Sequence, residues 1–113
     1  GDQLHAAFLG ADMVGTAAWV GSSDGRATAR IKHVYVRPFF TGLGIGHRLV
    51  GEMERLAGRA GYADFNARST LNAIGFFETL GYAVASYGVR VLTQEHSLAV
   101  AFMRKSARTG GLH

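Results

Sequence analysis

Apolar positions fall first into short runs and then into a helical period. Residues 4–9 and 13–20 are two apolar, β-compatible runs joined by Gly10-Ala11-Asp12, which predicts a β-hairpin. Gly21-Ser22-Ser23-Asp24-Gly25 is a stronger turn signal, so residues 27–37 should return as a third strand antiparallel to the second. Pro38 cannot donate to a strand ladder and ends it. Beyond a glycine-rich stretch, Ile45, Leu49, Val50, Met53, Leu56, Ala57 and Ala60 recur at helical spacing. Arg48, Glu52, Arg55 and Arg59 lie largely on the opposite side, and Gly61 closes the helix.

Residues 62–67 read as a strand reached through that helix, hence parallel to the third strand with a right-handed crossover. Ser69 or Thr70 can cap a second helix over residues 70–80, with Leu71, Ile74, Phe77 and Leu80 on one face and Gly81 stopping it. Gly75 weakens this helix by about 1 kcal/mol relative to alanine. Residues 82–87 and 98–104 offer two further strands around an irregular connection over 89–97. The order β-β-β-α-β-α-β-β predicts an α/β (α+β) fold, a mixed and mostly antiparallel sheet with a central parallel βαβ unit. A single domain is expected over residues 1–105, followed by a polar tail, 106–113, that frays.

Composition narrows the class. At 113 residues there is room for one domain, and 48% hydrophobic content suits a globular core. No apolar run approaches the roughly 20 residues that span a bilayer, and the N-terminus lacks a basic-then-apolar leader, so no membrane role is expected and the cytoplasm is the expected location. The absence of cysteine excludes disulfides, thiolate metal sites and a cysteine nucleophile. His5, His96 and His113 are dispersed and no G-x-S-x-G elbow occurs, so neither a metal nor a serine nucleophile is expected. A formal charge of +4 favours anionic ligands. Nucleic acid is the rival reading, disfavoured because the Lys and Arg residues are scattered, with no aromatic-basic motif among them.

The chemistry concentrates in residues 34–46, where Val34-Tyr35-Val36 runs through Arg37-Pro38 into Thr41-Gly42-Leu43-Gly44-Ile45-Gly46 and a helix start. Glycines let the backbone approach a ligand closely, and first-turn N–H groups lack intrahelical partners, so the turn suits a phosphate. A P-loop would need Lys and Ser/Thr where His47-Arg48 stand. A dinucleotide fingerprint would need its third glycine one residue later than Gly46. The bland alternative is a tight strand-to-helix turn, for which two glycines suffice.

Thr41-Gly42-Leu43-Gly44-Ile45-Gly46 resembles the acyl-CoA loop of the GNAT superfamily of N-acetyltransferases, [QR]-x-x-G-x-[GA] after a strand and a V-x-P step, except at its first position. The segment from Ser69 through Asn72-Ala73, Phe76-Phe77-Glu78 and Leu80-Gly81-Tyr82 is similar to the family's S-x-x-N-A-x-x-F-Y-E-x-L-G-F block. The resemblance extends from Leu4 to Lys105. Family members usually begin with a strand and one or two helices that wall the acceptor site, and this chain starts about where that region ends.

The resemblance implies that Val34, Tyr35 and Val36 bond the pantetheine arm of acetyl-CoA through their backbones. It also implies that Thr41, Gly42, Leu43, Gly44, Ile45, Gly46 and His47 wrap the pyrophosphate. Thr41 replaces the usual Arg or Gln, a loss that Arg48 or His47 can offset. Asn72, with Thr70, serves cofactor contacts or capping, and Phe77 stands where relatives often carry a tyrosine.

Acetyl transfer to an amine needs a neutral nucleophile, an oxyanion donor and a fate for the thiolate. By resemblance the donor is the Val36 N–H. Tyr82 or Tyr87 would replace the missing phenol, and His33, on a strand face with Ile31 and Tyr35, or else Asp64, would be the base. The expectation is an acetyl-CoA-dependent N-acetyltransferase acting directly on a primary amine of a small molecule or protein. The alternative is an acyl-CoA-binding module with little or no turnover. A homodimer would cover the β-rich C-terminal arm.

Overall fold

The structure is a computed structural model and describes residues 3–22 and 27–106. It has the expected mixed α+β fold, with six strands and two helices in the order read from the sequence. Two compact units divide the chain, residues 1–63 and 64–113.

In the first unit, β1 (Gln3–Leu9) pairs antiparallel with β2 (Asp12–Gly21), and β2 with β3 (Thr28–Val36). Gly10, at φ 64°, supplies the left-handed residue that a two-residue hairpin loop favours. Of the second turn, residues 23–26 lie outside the described residues. A 3₁₀ turn, Pro38–Phe40, leads to α1 (Ile45–Arg59), which packs on β2 and β3. Leu49, Val50, Met53 and Ala57 are its buried stripe, and Val14, Ala17, Ala29 and Ile31 are among the buried residues that β2 and β3 add to the core. Ala60, expected on that stripe, is exposed, because the helix has already ended. On its outer side Arg55 Nε donates to Glu52 Oε2 at 2.9 Å, and that hydrogen bond holds the exposed Glu52 carboxyl below its ordinary pKa.

In the second unit, β4 (Asp64–Thr70) and β5 (Ala83–Val91) both pair antiparallel with β6 (Ser97–Ser106), which lies between them. A 3₁₀ turn, Leu71–Ala73, and a short α2 (Ile74–Thr79) connect β4 to β5. Phe65, Ala67, Ser69, Phe77, Tyr82, Val100, Ala101 and Met103 are buried here.

Both helices end in the same way. Tyr62 N–H donates to Ala57 O at 3.0 Å and Gly61 N–H to Gly58 O at 3.0 Å, with Gly61 at φ 103°. Tyr82 N–H donates to Phe77 O at 3.1 Å and Gly81 N–H to Glu78 O at 3.0 Å, with Gly81 at φ 94°. These are Schellman closures, in which a left-handed glycine lets the chain satisfy the last carbonyls. The second adds the usual apolar contact, the Phe77 and Tyr82 rings meeting edge to face at 5.5 Å.

Several sequence expectations are corrected. The fourth strand starts at Asp64 rather than Tyr62, because Tyr62 is consumed by the closure of α1, and it continues through Ser69 and Thr70. Those two residues extend the strand by alternation, Phe65, Ala67 and Ser69 being buried. The second helix is therefore six residues instead of eleven, and Leu71 is 49% exposed rather than on its buried face. Over 89–97, β5 runs on to Val91, and a loop at 92–96 is closed by Leu92 N–H to His96 O at 2.9 Å and by His96 N–H to Thr93 Oγ1 at 3.1 Å. Ser106, assigned to the tail, is in β6 opposite Asp64, and residues 107–113 lie outside the described residues. No helix among the described residues is long and apolar enough to cross a membrane.

Candidate active site

The C-terminal half of β3 departs from a regular strand at one residue. His33 has φ 55° and is the one non-glycine residue with positive φ among those described. Pairing steps from Thr16↔Tyr35 to Ala18↔Lys32, so His33 and Val34 together oppose Ala17 in a bulge. The bulge shifts the inward face by one residue. Ala29 and Ile31 are buried ahead of it, while Val34 and Val36 are the half-buried positions after it, with Tyr35 exposed. His33 is therefore exposed and does not share a face with Ile31, contrary to the alternation expected of an unbroken strand. Holding a histidine in the left-handed region costs about 1–3 kcal/mol. Part of the compensation is visible: Thr16 Oγ1 donates to the His33 carbonyl at 3.1 Å.

At the far end of the strand, Arg37 N–H donates to Val14 O at 2.9 Å and Arg37 Nη1 to Met13 O at 3.2 Å. In an antiparallel ladder hydrogen-bonded pairs alternate, so the bond at Arg37 turns the Val36 N–H away from β2. The Arg37 guanidinium also lies 5.7 Å from the Phe40 ring centroid, tying the strand end to the 3₁₀ turn.

The loop that follows is built on its own backbone. Thr41 closes the turn twice, N–H to Pro38 O at 3.3 Å and Oγ1 to Pro38 O at 3.0 Å. Gly42 (φ 85°) and Gly44 (φ 76°) are both left-handed, and a Cβ on either would meet nothing within 4 Å, so backbone conformation rather than crowding requires them. Gly46 differs from these two, being helical and buried in the first turn of α1. Gly44 is the N-cap and Arg48 N–H to Gly44 O, at 3.1 Å, is the first helical bond. No side chain caps this end and no acidic residue occupies its first turn. A helix start carrying an effective positive charge near +0.5 and lacking a carboxylate is electrostatically suited to an anion.

Val34, Tyr35, Val36, His33, Thr41, Gly42, Leu43, Gly44, Ile45, Gly46 and His47 are thus placed in one continuous segment of the first unit. Asn72, Phe77 and Tyr82 belong to the second unit. Thr70 Oγ1 donates to Asn72 Oδ1 at 2.7 Å, a local contact that occupies the Asn72 side-chain oxygen. Phe77 and Tyr82 are 6% and 3% exposed, Tyr82 lying between the Phe77 ring and the Lys105 ammonium, whose Nζ is 5.7 Å from its ring centroid. Thr16, Gly15 and Arg37 have no signature in the sequence, because their importance depends on cross-strand register.

Comparison with known proteins identifies the family and the fold. The family model described as an acetyltransferase (GNAT) domain matches residues 2–84. A GCN5-related N-acetyltransferase from Rhodopseudomonas palustris superposes with a TM-score of 0.80 at 28% identity, over 93% of this chain and 61% of that one. A Salmonella typhimurium protein assigned as an acetyltransferase, with its cofactor acetyl-CoA, gives 0.77 at 24% identity over 95% and 65%. A protein from Lactobacillus plantarum assigned as an N-acetyltransferase gives 0.70 at 24% identity over 84% and 61%. The chain therefore spans about three fifths of the length of the first and third of these proteins. No curated protein sequence matches it. With the family match covering well over half of its residues, the chain belongs to the GNAT acetyltransferases.

Proposed function

We propose that this chain binds acetyl-CoA and transfers its acetyl group directly to a primary amine of a small molecule or a protein. The observation that carries the reading is the uncapped start of α1, delivered by left-handed Gly42 and Gly44 at the end of a bulged strand. In this reading the pyrophosphate sits on the first-turn N–H groups, and the pantetheine amides bond the Val34–Val36 backbone. The amine attacks the thioester carbon, forming the C–N bond and moving charge onto the oxygen, which the Val36 N–H, turned away from β2, receives. Collapse breaks the C–S bond and CoA leaves as thiolate. His33 takes the ammonium proton, and Tyr82 is the candidate donor to the thiolate. A thiol of pKa about 8.5 departs unprotonated at a cost of only ~2 kcal/mol near pH 7, so the donor is not indispensable.

Calorimetric titration with acetyl-CoA, with dephospho-CoA and ATP as controls, tests the site; thiol release with a panel of primary amines tests turnover. Binding that needs the pantetheine arm and release that needs an amine support the proposal. No preference over ATP would sink it. The second reading, an acyl-CoA-binding module, is favoured by Phe77, which has no hydroxyl, and by Thr41, whose hydroxyl is spent on Pro38; it predicts binding without release.

Tyr82→Phe separates chemistry from packing, because it keeps the ring that completes the α2 closure. If Tyr82 is the donor, thiol release falls at least ~tenfold, with acetyl-CoA affinity unchanged. An unaltered rate removes it from the reaction.

A further inference from the structure

We infer that Thr16 is a positioning residue for the acyl-CoA site: its hydroxyl, donating to the His33 carbonyl at 3.1 Å, holds the β3 bulge that aims the Val34–Val36 backbone. This rests on the reading of that segment as the pantetheine contact.

Three observations lead to Thr16. The bulge is what turns Val34 and Val36 inward after Ile31, and without it the period-2 alternation would keep the opposite set of residues on that face. Its left-handed residue is a histidine rather than a glycine, so the backbone does not adopt this conformation freely and something must hold it. Thr16 is directly opposite Tyr35, and its side chain crosses to the His33 carbonyl, the acceptor at the bulge itself. The segment is then held from β2 at both ends, by Thr16 at His33 and by the Arg37 bonds to Met13 and Val14. Between those two fixings Val34, Tyr35 and Val36 are kept at one twist.

Removing the hydroxyl should release the upstream fixing alone. The glycine loop and the start of α1 follow Arg37 and have their own internal bonds, so a ligand held only by the loop should not sense the change.

Thr16→Val keeps the β-branched shape and deletes the donor, while Thr16→Ser restores it. The probes are acetyl-CoA, which has pyrophosphate and pantetheine, and ADP, which has pyrophosphate alone, each titrated calorimetrically. The expected result is a dissociation constant for acetyl-CoA about tenfold higher in Thr16→Val, an ADP constant within about twofold of wild type, and recovery in Thr16→Ser, in line with the worth of one hydrogen bond. Equal weakening for both ligands, or no weakening for either, overturns the role of Thr16 and leaves the acyl-CoA reading standing. Wild-type protein that binds neither ligand overturns that reading, and the role of Thr16 with it. A Thr16→Val protein that has lost its fold is recognised by its circular dichroism. Thr16→Ser then decides: affinities matching wild type support the role, and acetyl-CoA weakened without the ADP split overturns it.

Discussion

Gly15→Ala lowers the thermal midpoint by about 5–15 °C and weakens acetyl-CoA binding at least ~tenfold. Gly15 pairs with Val36, at the point where β3 passes into the glycine loop. A Cβ there would stand 2.8 Å from the Tyr35 carbonyl oxygen, 2.9 Å from Leu49 Cδ1 and 3.3 Å from Ile45 Cγ2. The Leu49 methyl can rotate away, but the Tyr35 carbonyl is backbone, held in the β2–β3 ladder. The added methyl must therefore push β3 sideways or lift the start of α1, whose first two turns carry Ile45 and Leu49. Overpacking of this kind costs about 1–3 kcal/mol. Either movement separates the helix start from the strand end, the two parts that the proposed ligand must touch at once. Gly51→Ala is the control, because it lies within α1 with nothing within 4 Å of an added Cβ. That change should raise stability by about 0.5–1 kcal/mol through helix propensity, with no effect on binding. Thermal melts and calorimetry on the two variants suffice. A Gly15→Ala protein as stable as wild type would show that the close approach at this position is not required.

The contrast between those glycines shows what the sequence could and could not reveal. Gly42 and Gly44 were legible because they lie between a strand ending at proline and a helical period, where a positive φ is the natural need. Gly15, in the middle of an apolar run, looks like a weak point in a strand. Its constraint comes from Leu49, thirty-four residues away, and from Tyr35. The bulge was hidden for a similar reason: residues 28–36 contain no glycine to announce it, and its stabilising bond comes from Thr16 on the neighbouring strand. In the second unit the error was local. Ser69 and Thr70 are favoured helix caps, and that preference concealed the period-2 burial of Phe65, Ala67 and Ser69 that carries β4 onward. Val89-Arg90-Val91 are all exposed, and β5 reaches Val91 by pairing them with Ala99, Leu98 and Ser97 of β6 before the loop closes on Thr93.

A single substitution in the glycine loop should move stability and ligand affinity in opposite directions. Gly44→Glu would place a carboxylate near the phosphates, but at φ 76° any side chain strains the N-cap, so lost binding would not separate charge from conformation. Leu43 avoids that difficulty. It is 63% exposed and lies between the two left-handed glycines without being one of them. In the free protein a carboxylate at Leu43→Glu faces the positive end of the α1 dipole and should stabilise the fold by about 0.3–1 kcal/mol. With acetyl-CoA bound, the same charge opposes the pyrophosphate. At roughly 4 Å one such repulsion is worth about 1 kcal/mol in bulk water and ~4 kcal/mol at the effective dielectric of a protein surface. Affinity for acetyl-CoA should accordingly fall about 10–100-fold while the melting temperature holds or rises. Leu43→Gln, matched in shape and uncharged, should bind within a few-fold of wild type, and added salt should narrow the gap between the two variants. A loop that only turns the chain predicts no difference between Glu and Gln in ligand binding, and equal affinities would remove the anion site. A loss shared by both variants would instead assign the effect to the leucine side chain, leaving the charge of the helix start without a part in holding the ligand.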